Sequence, residues 1–230
     1  MAATRTFLQM RTRARQLAFQ ENSELVSEDE LKGIVNEQCQ ALYDVLVGVR
    51  GMDYYSGSTT ITSVADQAVY SLPDDFYQLQ TAMVGDGSRT HNMATFEEQE
   101  LATLLTMEQT GSHSYYDTRY RLKQAGIEFR PKPKDASWTF TLRYVPAMPL
   151  LVADGDVFDG VNGWEKWIEL AAAIEMLNKD ESDSTALQVQ QQKIEQRIRG
   201  LAGSRDAGRP PRIVDTRGDW HDFYSDWDSN

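Results

Sequence analysis

Apolar residues at helical spacing open the chain. Phe7, Met10, Ala14, Leu17 and Ala18 fall on one face of a short helix. Ser27 with Glu30 three residues on forms a capping box, which predicts a second helix start. From there Leu31, Ile34, Val35, Gln38, Leu42, Val45, Leu46 and Val49 trace one face, and Gly51 is the expected stop. From about residue 58 the period changes to two. Thr59 to Ser63 is rich in β-branched residues, and Ala68, Tyr70 and Leu72 alternate with Val69 and Ser71. Pro73 interrupts that strand, Asp74-Asp75-Phe76 turns the chain, and Leu79 to Val84 is a further strand before the turn Gly85-Asp86-Gly87. Thr95 and Glu98 read as another capping box, opening a short helix through Leu101, Leu104 and Leu105.

Tyr120–Leu122 and Ile127–Phe129 flank Lys123-Gln-Ala-Gly126, as in a hairpin. Trp138, Phe140, Leu142 and Tyr144 then alternate strictly with Thr139, Thr141 and Arg143, the pattern of a sheet with one buried face. Helix returns after Gly163. Trp164, Trp167, Ile168, Ala171, Ala172, Glu175 and Asn178 lie on one side, widened by Ile174 and Leu177. A polar break at Lys179–Thr185 leads to a last helix with Leu187, Ile194, Ile198 and Leu201 expected inside. The predicted fold is α+β: a helical bundle of N-terminal helices plus a C-terminal helical hairpin, with a mostly antiparallel β region inserted at about 58–145. Residues 1–203 form one domain in this reading, and 204–230 an extended C-terminal arm.

The arm changes the picture most. Gly203, Gly208, Pro210 and Pro211 end the last helix, and Trp220, Phe223, Tyr224 and Trp227 then stand at i, i+3, i+4 and i+7. About two turns of helix would present all four aromatics on one face, the spacing of helix-in-groove anchors. Asp215, Asp219, Asp222, Asp226 and Asp228 keep such an arm soluble and suit a basic partner surface. The alternatives are that the aromatics fold back on their own domain or that the arm is disordered.

Charge and composition narrow the function. Lys+Arg 23 minus Asp+Glu 35 gives −12, a poor balance for wrapping phosphate backbones, to which only the arginines near the N-terminus and at 205–217 could contribute. The hydrophobic share of 40% excludes global disorder. No apolar run approaches the roughly 18 residues of a membrane span. The basic first twenty residues are loosely transit-peptide-like, but their helical spacing favours an integral helix and a cytosolic origin. The lone Cys39 excludes an internal disulfide framework and reads as a small apolar residue.

Catalytic signatures are missing: no Walker A sequence, no Gly-x-Ser-x-Gly, no His-Glu-x-x-His. His91, His113 and His221 are far apart and fall in segments read as loops or tail. Asp154, Asp156 and Glu165 occupy positions 1, 3 and 12 of a calcium loop. Phe158 at position 5 and Asp159 at the obligatory glycine position break its geometry, so a turn into the next helix is expected. No metal and no cofactor is implied.

Two stretches are informative beyond this. Thr62-Ser-Val-Ala-Asp-Gln-Ala-Val-Tyr70-Ser-Leu-Pro73-Asp-Asp-Phe76-Tyr-Gln-Leu79 resembles the β region of head-to-tail adaptor proteins of tailed bacteriophages, where a strand ends in a Tyr-x-Leu-Pro-x-Asp-Phe turn. The run Glu169 to Asp183, the Gln-rich helix after it, and Arg205-Asp-Ala-Gly208-Arg-Pro-Pro-Arg-Ile-Val-Asp215 are similar to the helical hairpin and Arg-Asp tail of the same proteins. The resemblance covers roughly residues 5–217. It implies a structural, non-enzymatic virion protein joining the portal to the tail: a ring of twelve copies that extends the DNA channel. Implied partners are the portal, tail or nozzle proteins, further copies of itself, and double-stranded DNA passing without sequence-specific binding; no membrane is involved. Its place is the head–tail interface of the virion, and the host cytoplasm during assembly. The portal-docking arm would comprise Arg205, Asp206, Arg209 and Arg212 together with the aromatics Trp220, Phe223, Tyr224 and Trp227. Alternatives are another neck or tail-completion protein and, further off, a small hydrolase using scattered carboxylates.

Overall fold

Thr6 starts the first helix. Its hydroxyl accepts from the Gln9 N–H at 3.3 Å while the Gln9 side chain accepts from the Thr6 N–H at 3.1 Å, a reciprocal box absent from the sequence reading. The structure, a computed structural model, describes residues 5–22, 24–50, 55–124, 126–158 and 163–202. Among the described residues five α-helices and seven strands follow in the order α1 (Phe7–Leu17), α2 (Glu28–Arg50), β1 (Gly57–Thr62), β2 (Val69–Tyr70), β3 (Phe76–Gly85), β4 (Thr90–Asn92), α3 (Glu98–Thr110), β5 (Arg119–Lys123), β6 (Gly126–Arg130), β7 (Thr139–Pro146), α4 (Glu165–Lys179) and α5 (Thr185–Ala202). The fold is mixed α+β, and all its strand pairs are antiparallel.

The helices share one apolar core. Phe7, Met10 and Ala14 of α1 meet Leu31, Val35, Leu42 and Leu46 of α2 and Ile168, Ala172 and Met176 of α4. At the start of α2 the Ser27 hydroxyl accepts from the Glu30 N–H at 3.2 Å, and Glu28, Asp29 and Glu30 sit where the helix dipole favours negative charge. On α5 the inward row is Ile198 and Ala202, with Leu187 and Ile194 half-buried. Leu201, expected inside, is 44% exposed. The row advances by four at its end, and the small Ala202 takes the inner position.

Residues 57–146 carry a second core. One sheet has the order β1-β7-β3-β4 and the other β2-β6-β5. Ala82, Val84, Phe140 and Leu142 from the first face Tyr70, Ile127 and Phe129 from the second, with Phe129 and Phe140 stacked at 3.9 Å. β7 shows the predicted alternation, with Phe140, Leu142 and Tyr144 inside. Three readings change. The strand expected over 68–72 is only Val69–Tyr70. The third helix is boxed by Glu97 and Glu100, because Thr95 and Phe96 are held in backbone pairing with Tyr120 and the chain turns two residues later. His91, expected in a loop, lies on β4. Gly51, the expected end of α2, is outside the described residues.

Two tyrosines join the cores. Tyr43 on α2 donates to the Pro146 carbonyl at 2.8 Å, and Tyr77 on β3 donates to Asp44 at 2.7 Å. Val145, beside Pro146, is buried in the helical core.

Candidate interaction surface

The N-terminal helix is strapped across the molecule. Thr6 pairs with Val157, the Phe7 N–H donates to the Asp156 carbonyl at 2.7 Å, and the Leu8 N–H to that of Asp154 at 3.2 Å. Arg5 ion-pairs with Glu169, which is buried at the start of α4; burial pushes that carboxyl up and Arg5 opposes the shift. Arg11, itself buried, binds Asp154 and also Glu28 at 3.0 Å. The residues with calcium-loop spacing are thus occupied otherwise. Asp154 meets Arg11, the Asp156 carboxylate accepts from the Val152 and Ala153 N–H groups at 2.7 and 2.8 Å, Phe158 is buried in the helical core, and Glu165 is buried beside the Arg5 N–H. They build a turn. Asp159 lies outside the described residues.

Strapping α1 this way leaves apolar groups facing solvent. Leu8, Leu150 and Val157 are exposed, Val152 is 77% exposed, and Phe19 is 92% exposed on a left-handed backbone (φ 55°). A groove of about 320 Å³ runs between Leu8, Arg11, Thr12, Arg15, Gln16 and Glu28. Exposed apolar residues mark contact with another protein where they adjoin in one patch. The sequence carried a signal for Leu8 and Phe19: each falls off the phase of Phe7, Met10 and Ala14.

A second surface is ionic. Glu128 on β6 is 3% exposed and meets Lys123 at 2.6 Å, Arg121 at 3.0 Å and Arg130 at 3.0 Å. Burial alone would raise its pKa, but the three cations together outweigh it and hold the carboxyl at about 2. Arg119, Arg121 and Arg130 also reach Glu100, Glu98 and Glu108 on α3. Since only Leu104 of α3 is fully buried, that helix is tied to the second sheet largely by these pairs.

The reactive side chains have structural partners. His113 sits between the Met107 and Lys132 carbonyls at 3.1 and 2.9 Å, and His91 packs its edge on the Tyr116 ring. Burial pushes the Cys39 thiol up to about 12, so it stays protonated. Among the described residues no three His, Cys, Asp or Glu side chains cluster as a metal site would need. No helix among them is long and apolar enough to cross a membrane. The proposed arm residues Arg205, Asp206, Arg209, Arg212, Trp220, Phe223, Tyr224 and Trp227, and His221, lie outside the described residues.

The Tyr-x-Leu-Pro-x-Asp-Phe stretch makes a corner against β7. Asp75 accepts from the Tyr144 hydroxyl at 2.8 Å, its carbonyl accepts from the Ala147 N–H at 2.6 Å, and Phe76 stacks on the Tyr144 ring at 5.8 Å. Tyr70 accepts from the Val64 N–H at 2.9 Å. This corner and the strapped helices fall within residues 5–215, which match the SU10 adaptor protein family. The chain belongs to that family. SU10 adaptors are structural proteins of the phage virion, acting between head and tail, and the family is not one of enzymes. Both resemblance stretches lie inside the matched span, and the aromatic cluster at 220–227 lies beyond it. No curated protein gives a significant match to this SU10-family chain.

Proposed function

We propose that this SU10-family adaptor works as a ring between portal and tail that extends the channel for DNA. The observation that carries the reading is the family match over residues 5–215. In this reading α1, α2, α4 and α5 are the bundle of a domain spanning 1–203, α4 and α5 form its C-terminal hairpin, and the β region projects as an insertion. The arm at 204–230 reaches the portal through Arg205, Asp206, Arg209 and Arg212 and through Trp220, Phe223, Tyr224 and Trp227. Twelve copies at −12 each carry −144 before counterions. Acidic groups facing the channel would repel DNA phosphates, so the duplex slides rather than sticks; that field is felt only within about 8 Å at physiological salt. Assembly happens in the host cytoplasm.

The test is the copy number of the chain in purified particles, measured by quantitative mass spectrometry with the portal protein as internal standard. A one-to-one ratio is expected, and absence from the particle overturns the reading. Deleting residues 216–230 should abolish attachment to the portal, and full binding by the truncated chain would refute the arm.

A further inference from the structure

The backbone groups along the outer side of an edge strand have no strand partner, so natural proteins blunt such edges by brevity, charge or proline. Three of the four edges here are treated so. β5 carries Arg119, Arg121 and Lys123, β2 has two residues, and β4 has three. β1 is different. Its six residues, Gly-Ser-Thr-Thr-Ile-Thr, include no charge and no proline, and Ser58, Thr60 and Thr62 are exposed. Among the described residues no strand pairs with its outer side.

The far edge of the same sheet is its complement. β4, Thr90-His91-Asn92, is exposed at all three residues and has no Lys, Arg, Asp or Glu. Each neighbour in the order β1-β7-β3-β4 is antiparallel, so β4 runs opposite to β1. A copy set beside this one by rotation alone therefore brings its β1 antiparallel to β4, continuing the sheet. The side chains agree: Thr60, Thr141, Met83 and Asn92 form one row across the sheet, so Thr60 of a second copy extends that row beside Asn92.

We propose that the β1 edge of one copy pairs with the β4 edge of the next. The proposal rests on the ring reading above and names the contact that would close it. The contact is heterologous, joining two different edges, which is the kind that generates rings. With three residues in β4 it forms few hydrogen bonds, so it is weak between two copies and effective once several are held side by side.

Cross-strand neighbours stand at about 4.5–5.5 Å between Cα atoms, within disulfide reach. The test uses the full chain with Thr60→Cys plus Asn92→Cys, and with Thr62→Cys plus Asn92→Cys to allow for a two-residue shift of register, each first shown to keep the wild-type circular dichroism. The buried Cys39 stays in place. Particles assembled with each variant are oxidised and run on non-reducing gels. At least one pair should give a ladder of covalent multimers, more than tenfold above either single variant. Self-linking by Thr60→Cys alone would show β1 against β1 and overturn the proposal. No ladder in either pair, with the chain at portal copy number, overturns the edge pairing and leaves the ring standing. Absence of the chain from particles overturns both.

Discussion

Glu128→Gln removes one charge from beneath three cations and keeps the side chain's shape. Lys123 then loses its partner, while Arg121 retains Glu98 and Arg130 retains Glu108. Moving a carboxyl from 4.5 to about 2 is worth about 3 kcal/mol. The surrounding cations are 16–43% exposed, and solvent screening reduces the effect to about 1–2 kcal/mol. The sign follows from proton binding. Between pH 4.5 and 2 the unfolded chain holds a proton on this group and the native chain does not, so its contribution is complete above about 4.5 and is lost as pH falls toward 2. Urea unfolding of both proteins from pH 7 down to pH 3 is the assay. The rest of the chain is common to both proteins, so the difference between them isolates Glu128. The variant should be weaker by about 1–2 kcal/mol at pH 7, with the gap narrowing below pH 4.5. A gap under about 0.5 kcal/mol at pH 7, or one that stays constant to pH 3, would refute the reasoning.

Two further substitutions test the packing. Ile198→Ala should cost about 2–4 kcal/mol in denaturant unfolding by opening a cavity under α5, whereas Leu201→Ala three residues on should change stability by less than about 0.5 kcal/mol. Gly126→Ala puts a Cβ 2.2 Å from the Tyr70 carbonyl oxygen, where backbone must shift to admit it; a loss of more than about 2 kcal/mol is expected by thermal unfolding, and wild-type stability would contradict the close approach.

The legible parts of the fold were those with a local cause. The stripes of α1 and α2, the alternation of β7 and the β5–β6 hairpin all follow from the period of the apolar residues. β4 has no apolar residue to set a period, and its place in the sheet follows from pairing with β3. The Thr95–Glu98 spacing satisfied a capping rule that backbone pairing with Tyr120 overrode. Neither the sheet order nor the Arg5–Glu169 pair leaves a local trace, since both join distant segments. The family was legible through the Tyr70–Phe76 corner, whose tie to Tyr144 keeps that stretch together.

The strap on α1 has a consequence for how the protein is made. Arg5 finds Glu169 across 164 residues, and Arg11 finds Asp154 across 143. The two sheets, by contrast, are built wholly from residues 57–146. During synthesis from the N-terminus the β region can close first, while Phe7, Met10 and Leu31 wait for α4 to leave the ribosome. A product cut short before α4 keeps those side chains uncovered. The first helix translated is thus among the last to dock, and an incomplete chain has no finished helical core to bring to an assembly.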